Sequence, residues 1–520
     1  MVLKPSLYQK AAAMPLEIQD FPLLAPGGGG ANERVAGHLI DDTQSARPDA
    51  STLPLLNVHT NEVGEIVQRS GYSVYSGALT TTSYVTGLFQ YKKFNGNEFE
   101  IVCGDNGSVK HIWDISSPGS PVDIIGAATV TSDSLFSFAV VADKLIITND
   151  ARDTVLKWTG TGNVASLGGT PPQGKFVKEF NNYCFMANTS ANPERVYWSN
   201  LFDPETWTGT DFYRLNNACT GLARTQDSLF MFTIQGCVVA RYTGDSLTPF
   251  TFDLIDSNVG CGAGHSLINA VGTIYWVGND AHIYRMNGYT PERVSELIPT
   301  TISEMTAASL SRCVAVEHRE LRQLWFYYPK DSSSTNNFVV AYDYLNNQFF
   351  FYDGMAGNSC ANFQESNGAL KTYFGDRTGR IYLTNTGNTD YVAGSSTSIN
   401  AYRHTKMFNL GVPNRVKRFR KIRSTVNNNG SGSSTITVIG DFGANGGEVL
   451  TLNHNAGNST IGAFIVGTTA LGGQSDVKTS NDVSTTCNYI QLKIAHNQNS
   501  IPFKMRDLVM MFQNYGDTRL

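Results

Sequence analysis

Nine histidines and eight cysteines are the side chains of this 520-residue sequence best suited to bind metal ions or act as nucleophiles. No two histidines form an HxH pair or an HExxH motif, and no two cysteines form a CxxC pair, so no zinc site is predicted. Several cysteines lie inside apolar runs such as GCVVA at 236–240, which is typical of buried free thiols in a reducing compartment. The sequence also lacks a GxSxG elbow and a Walker A loop. These patterns predict no metal and no cofactor.

Two carboxylates in the stretch RVYWSNLFDPETWTG at 195–209 are the remaining candidates for catalysis. Asp203, Thr206 and Trp207 partly match the Asp-box of sugar-cleaving propellers, but the spacing is one residue short and the glycine is missing. A glycosidase also needs two carboxylates flanking one bond, and nothing pairs Asp203 or Glu205 with a second site. We therefore interpret the stretch as a structural connection, in which Pro204 sets a turn and Trp207 packs on a sheet edge. The protein is predicted not to be an enzyme.

Composition and turn spacing predict an all-β protein. Charged residues make up only 16% of the chain and glycines number 49, which favours short strands and tight turns over helices. Four turns each contain a Gly-Asp or Asn-Asp pair just before a strand. The intervals between successive turns are about one, three and two multiples of roughly 45 residues. Their acidic residues are Asp105, Asp150, Asp280 and Asp376. This period is typical of a β-propeller, here with about seven four-stranded blades.

The two ends of the chain do not follow this period. Residues 1–60 are rich in Pro, Gly and Ala and are predicted to form an extended N-terminal arm. Residues 61–395 form the predicted propeller, and residues 396–520 a C-terminal β-sandwich-like domain. No stretch approaches 18 consecutive apolar residues, so no membrane insertion is predicted.

One basic cluster stands out, in the stretch NRVKRFRKIRSTV at 414–426. If the stretch is extended, neither face is cleanly apolar, so we do not expect an ordinary buried strand. Three interpretations stay open: a solvated sheet edge, a contact with carboxylates of another subunit, and a contact with DNA phosphates. The net charge of −5 gives no general nucleic-acid signature. The candidate contact residues are Arg415, Lys417, Arg418, Arg420, Lys421 and Arg423.

Three stretches together resemble the tail nozzle proteins of short-tailed bacteriophages, which include tail tubular protein B and the packaged-DNA stabilisation proteins. They are LPLLNVHTNEVGEIVQRSGY at 53–72, RVYWSNLFDPETW at 195–207 and VPNRVKRFRKIRSTV at 412–426. The resemblance covers most of the chain and is one of pattern rather than of an invariant motif.

This resemblance implies a structural virion protein of the phage tail, assembled in the host cytoplasm. A homo-hexameric tube would continue the DNA channel below the portal and its adaptor, retain the packaged genome and let it exit on ejection. The expected protein partners are the head-to-tail adaptor and tail fibres or a needle. Double-stranded DNA would pass through the channel without sequence-specific recognition. The alternative is a receptor- or glycan-binding propeller at the tail periphery.

Overall fold

The computed structural model describes residues 17–20, 52–454 and 476–517, with short gaps at 62, 77–78, 80–83, 108, 257, 393, 411–414, 430, 444 and 500. The chain divides into two compact units. One comprises residues 72–345 and 352–386, and the other comprises residues 1–71, 346–351 and 387–520. The predicted boundaries at 60 and 395 stay predictions.

The described residues of the propeller form seven antiparallel blades of four strands, which confirms the predicted fold; six blades are separate four-stranded sheets and the seventh is part of a six-stranded sheet. Each blade takes four strands consecutive in sequence, except that the seventh is completed by a strand from before the first. The first three blades are β6 Tyr84–Lys92, β7 Glu98–Asp105, β8 Lys110–Asp114 and β9 Val122–Asp123; β10 Phe136–Val141, β11 Lys144–Asn149, β12 Leu156–Trp158 and β13 Ala165–Ser166; β14 Gly174–Phe180, β15 Tyr183–Thr189, β16 Arg195–Trp198 and β17 Phe212–Arg214.

The remaining four blades follow the same order. They are β18 Cys219–Arg224, β19 Ser228–Thr233, β20 Cys237–Tyr242 and β21 Phe250–Asp256; β22 Ile268–Ala270, β23 Thr273–Val277, β24 Ile283–Asn287 and β25 Thr290–Arg293; β26 Val314–His318, β27 Gln323–Tyr328, β28 Phe338–Asp343 and β29 Gln348–Tyr352; β30 Ser359–Gln364, β31 Leu370–Gly375, β32 Ile381–Thr384 and β5 Tyr72–Ser76. One short helix, α1 Pro299–Ser303, lies between blades five and six.

The acidic turns that revealed the period occupy equivalent positions in their blades. They join the second strand to the third in blades one, two, five and seven, as the spacing predicts. The carboxylate of Asp376 shows why an acidic residue suits this turn, because it accepts hydrogen bonds from the backbone N–H groups of Thr378 (2.8 Å) and Arg380 (3.0 Å).

Strand β5 closes the ring by pairing with β32, where Tyr72 lies opposite Thr384. Blade seven then packs on blade one through an apolar cluster that includes Val85, Trp113 and Tyr373. Similar clusters lie between successive blades from blade one to blade five, so the central strands there are buried on both faces. The eight cysteines are free thiols, and seven of them are buried, in line with the sequence interpretation.

The second unit contains two antiparallel sheets. In strand β37, Ser433–Gly440, every second residue is buried, so one face of that sheet packs inward. Within the predicted arm, the described residues form β1 Glu17–Asp20, β2 Thr52–Leu56 and β3 Val58–Thr60. The other strands are β4 Ile66–Gln68, β33 Thr389–Val392, β34 Ser395–Ser398, β35 Ala401–Thr405, β36 Arg415–Asn427, β38 Asn445–Asn453, β39 Asp476–Asp482, β40 Thr486–Cys487, β41 Ile490–His496 and β42 Lys504–Asp517.

Candidate anion-binding face

The basic cluster forms β36, which lies inside a sheet. It pairs along most of its length with β42 on one side and with β39 and β40 on the other. The interpretation as a solvated sheet edge is therefore wrong, because both rows of backbone groups are hydrogen-bonded to neighbouring strands. Its charges do not serve to block pairing at an open edge.

A β-bulge in β36 determines which face of the sheet several of its basic side chains lie on. Phe419 faces Phe512 and Lys421 faces Met511, so Arg420 is an extra residue in this strand. The bulge shifts the alternation by one residue, and Phe419 and Ile422 are consequently both buried on the same side. The expectation that neither face packs in the ordinary way is wrong for this reason: one face is buried and carries Phe419, Ile422 and Val426, and the other is cationic.

Lys417 lies on the buried side of β36. Its side chain has no exposed surface, and its Nζ donates hydrogen bonds to the backbone carbonyl oxygens of Arg415 and Asn488, both at 2.9 Å. Burial lowers the pKa of Lys417 to about 8. This lysine therefore satisfies backbone carbonyls and does not face solvent.

Four of the six predicted residues line one open depression of ≈ 750 Å³ on the other face. Side chains from β39, β42 and the turn after β39 complete it, and these were not recognised in the sequence. Arg415 begins the strand and is not among the lining residues. The depression is lined by Arg418, Arg420, Lys421 and Arg423 together with Asp482, Val483, Ser484, Met511 and Gln513.

The cations of this depression are only partly neutralised. Lys421 Nζ lies 3.3 Å from Asp482, whose side chain is 87% exposed, so the pair contributes little. Arg420 makes one long hydrogen bond, 3.4 Å, to Gln513. Arg418 and Arg423 have no ion-pair or hydrogen-bond partner for their side chains in the described part of the chain. We call this surface the cationic face, and its guanidinium groups suit bidentate binding of carboxylate or phosphate oxygens.

The carboxylates of the stretch 195–209 hold a connection together. Asp203 accepts hydrogen bonds from Thr206 Oγ1 (2.6 Å) and from the backbone N–H of Glu205 (3.0 Å). Glu205 forms ion pairs with Lys144, at 2.6 Å, and with Lys157. Hydrogen bonds from these two lysines lower the pKa of Glu205 to about 2.

Trp207 completes this connection. Its Nε1 donates to the Pro204 carbonyl oxygen at 2.7 Å, and its ring packs on the apolar cluster between blades two and three. The predicted turn at Pro204 and the predicted packing of Trp207 are confirmed.

The glycine-rich segment GCGAGHS at 260–266 packs against backbone. A Cβ on Gly264 would lie 2.2 Å from the Thr220 carbonyl oxygen, and one on Gly260 would lie 2.2 Å from the Ile234 carbonyl carbon. The glycines therefore permit close approach of neighbouring strands rather than access of a phosphate group.

Among the described residues, no group of three His, Cys, Asp or Glu side chains could hold a metal ion. Within the same part of the chain, no helix has the length and apolarity needed to cross a membrane.

No protein-family model matches this chain, and no curated protein matches it. Among solved structures, it is similar to the extracellular domain of a hybrid two-component system of B. thetaiotaomicron, at 12% identity and a TM-score of 0.39, over 65% of this chain and 46% of that one. It thus spans less than half of that protein. The β-propeller domain of Cps50 (Swd1) from Myceliophteria thermophila matches at 11% identity and a TM-score of 0.37, over 59% of this chain and 100% of that one. Likenesses at this level carry no functional argument.

Proposed function

We propose that this chain is a structural protein of a short-tailed phage tail, which forms the wall of a hexameric tube that conducts DNA. The resemblance of three stretches of the sequence suggests this role. The observation that carries the proposal is the cationic face, because it presents three arginines and a lysine that are incompletely neutralised, on an internal strand of a folded unit. Such a surface is suited to an anionic protein or phosphate partner.

The partner we propose for the cationic face is a carboxylate surface on a neighbouring copy of this chain. A ring of identical subunits needs two different surfaces that complement each other around the rotation axis. The chain carries 44 acidic against 39 basic residues, so a second copy supplies carboxylates. A strongly basic channel wall would hold DNA rather than let it slide, because phosphate contacts add up with each cation.

Electron microscopy of the chain assembled with its portal and adaptor tests the proposed role. We expect a six-fold tube with a central channel below the portal ring. A monomer, or an oligomer attached only at the tail periphery, would overturn the proposal and favour the alternative of a receptor- or glycan-binding propeller.

A matched pair of charge reversals tests the cationic face. Arg423→Glu changes a residue of the face, whereas Lys478→Glu changes an exposed lysine of the adjacent strand β39 outside the depression. We expect only Arg423→Glu to reduce ring formation, measured by sedimentation, with an effect that weakens as salt is raised. If both variants assemble normally but phage particles carrying Arg423→Glu lose packaged DNA, the face binds phosphate instead.

A further inference from the structure

An open groove of ≈ 560 Å³ lies on the propeller between blades four and five. Its apolar floor is formed by the buried side chains of Phe230, Ile274 and Met286. Polar and aromatic side chains surround this floor. The rim includes Gln226, Asp227, Thr273, Arg285, Asn287 and Tyr289. The groove is therefore amphipathic.

Tyr289 supplies an exposed aromatic surface at this groove, with 48% of the residue accessible. The Arg241 guanidinium lies over its ring at 4.7 Å, and the ring of Phe230 lies 6.3 Å away at an interplanar angle of 30°. These contacts hold the ring in place before any ligand arrives. A fixed aromatic side chain offers contact area at a low cost in conformational entropy.

The positive charges near the groove are already paired. Arg285 lies 2.8 Å from Glu292, whose other carboxylate oxygen accepts a 2.7 Å hydrogen bond from Asn287. Arg241 is paired with Asp253. Gln226 and Asp227, in contrast, are exposed and form no hydrogen bond or ion pair with any described residue. The charged group of the rim that no described residue neutralises is thus a carboxylate, which disfavours an anionic ligand.

We propose that this groove binds a neutral carbohydrate. A sugar ring has an apolar C–H surface and a rim of hydroxyl groups, and both match the groove. The C–H surface would contact the apolar floor and Tyr289, while hydroxyl groups would donate to Asp227 and hydrogen-bond with the Gln226 amide. The groove is too open to enclose a compact apolar ligand, whereas an oligosaccharide chain can lie along it.

The groove shares no lining residue with the cationic face, and ligand binding in it does not depend on the tube. Carbohydrate binding here would also fit a tail protein that contacts a cell surface.

Isothermal titration with defined oligosaccharides tests the proposal. The probes are maltoheptaose, mannopentaose and chitotetraose, with heparin as an anionic comparison. We expect binding of at least one neutral oligosaccharide and none of heparin at this groove. Tyr289→Ala and Asp227→Ala should each weaken that binding by about tenfold or more, whereas Tyr289→Phe should retain most of it.

Phe94→Ala is the matched control, because Phe94 is an aromatic residue at another propeller loop and is 81% exposed. It should leave binding unchanged, and all variants should keep the wild-type unfolding temperature. Absence of binding by every neutral probe would overturn the proposal, as would binding that Tyr289→Ala and Asp227→Ala leave intact. Because Tyr289→Ala should still form six-fold rings, failure of this proposal is distinguishable from failure of the tube.

Discussion

Asp133 and Arg312 join two blades that are not neighbours in the propeller ring. Asp133 precedes blade two and Arg312 precedes blade six, yet Arg312 Nη2 lies 2.7 Å from the Asp133 carboxylate. Arg377 of blade seven reaches the same carboxylate at 2.9 Å. Burial alone would raise the pKa of Asp133, but the hydrogen bonds from both arginines outweigh it and lower that pKa. Three blades are thus tied together at one carboxylate.

Removing this carboxylate should destabilise the propeller. We expect Asp133→Asn to lower the free energy of unfolding by about 1–2 kcal/mol, because two half-buried guanidinium groups lose a charged acceptor. Urea unfolding followed by circular dichroism measures the change. Asp253→Asn is the control, since the Asp253–Arg241 pair is exposed and should contribute almost nothing. Equal effects of the two substitutions would contradict this role of Asp133.

Glu205 should contribute stability that depends on pH. Its pKa is lowered from 4.5 to about 2 in the folded protein. The contribution is therefore fully present above about pH 4.5 and is lost as the pH falls towards 2. The difference in unfolding temperature between wild type and Glu205→Gln should accordingly shrink from pH 6 to pH 3. A difference that stays constant over this range would show that the Lys144 and Lys157 pairs do not stabilise the fold.

Buried histidines should make the second unit sensitive to acid. Burial lowers the pKa values of His404 and His454 from 6.5 to about 4 and also lowers that of His496. Protons then bind the unfolded chain preferentially, so stability is lost as the pH falls from about 6.5 to 4.

His454 is the histidine to replace. It stacks on His496 with ring centroids 5.6 Å apart and on Phe503 at 5.9 Å. We expect His454→Phe to make the loss of stability between pH 6.5 and 4 less steep, as measured by thermal unfolding at a series of pH values. An unchanged slope would mean that other groups cause the acid sensitivity.

Trp207 should stabilise the connection in blade three. Replacing it by Ala removes packing on the cluster between blades two and three, and we expect a loss of about 2–3 kcal/mol in the free energy of unfolding. Phe202→Ala in the same segment is the control, because Phe202 is 57% exposed. A Trp207→Ala variant that unfolds at the wild-type denaturant concentration would contradict the structural interpretation.

The propeller could be predicted from the sequence because its signal is local. Asp105, Asp280 and Asp376 each accept a hydrogen bond from a backbone N–H two residues further on, whereas Asp150 pairs with His265 and Lys175. An acidic residue therefore recurs at this turn in four of the seven blades. The structural role of the stretch 195–209 was likewise predictable, since Asp203 and Trp207 bond to residues within three positions.

Tertiary structure decided which face of the sheet each basic side chain of β36 lies on. The bulge at Arg420 depends on the register with β42, and it places Ile422 on the same side as Lys417 and Phe419 while Lys421 and Arg423 lie on the other face with Arg418. The pairing of Asp133 with Arg312, residues 179 positions apart, arises only when the blades close into a ring, and the groove at Tyr289 arises only when blades four and five pack side by side. Hydrogen bonds within a turn are encoded in neighbouring residues, whereas strand register and contacts across a ring depend on segments that sequence patterns do not connect.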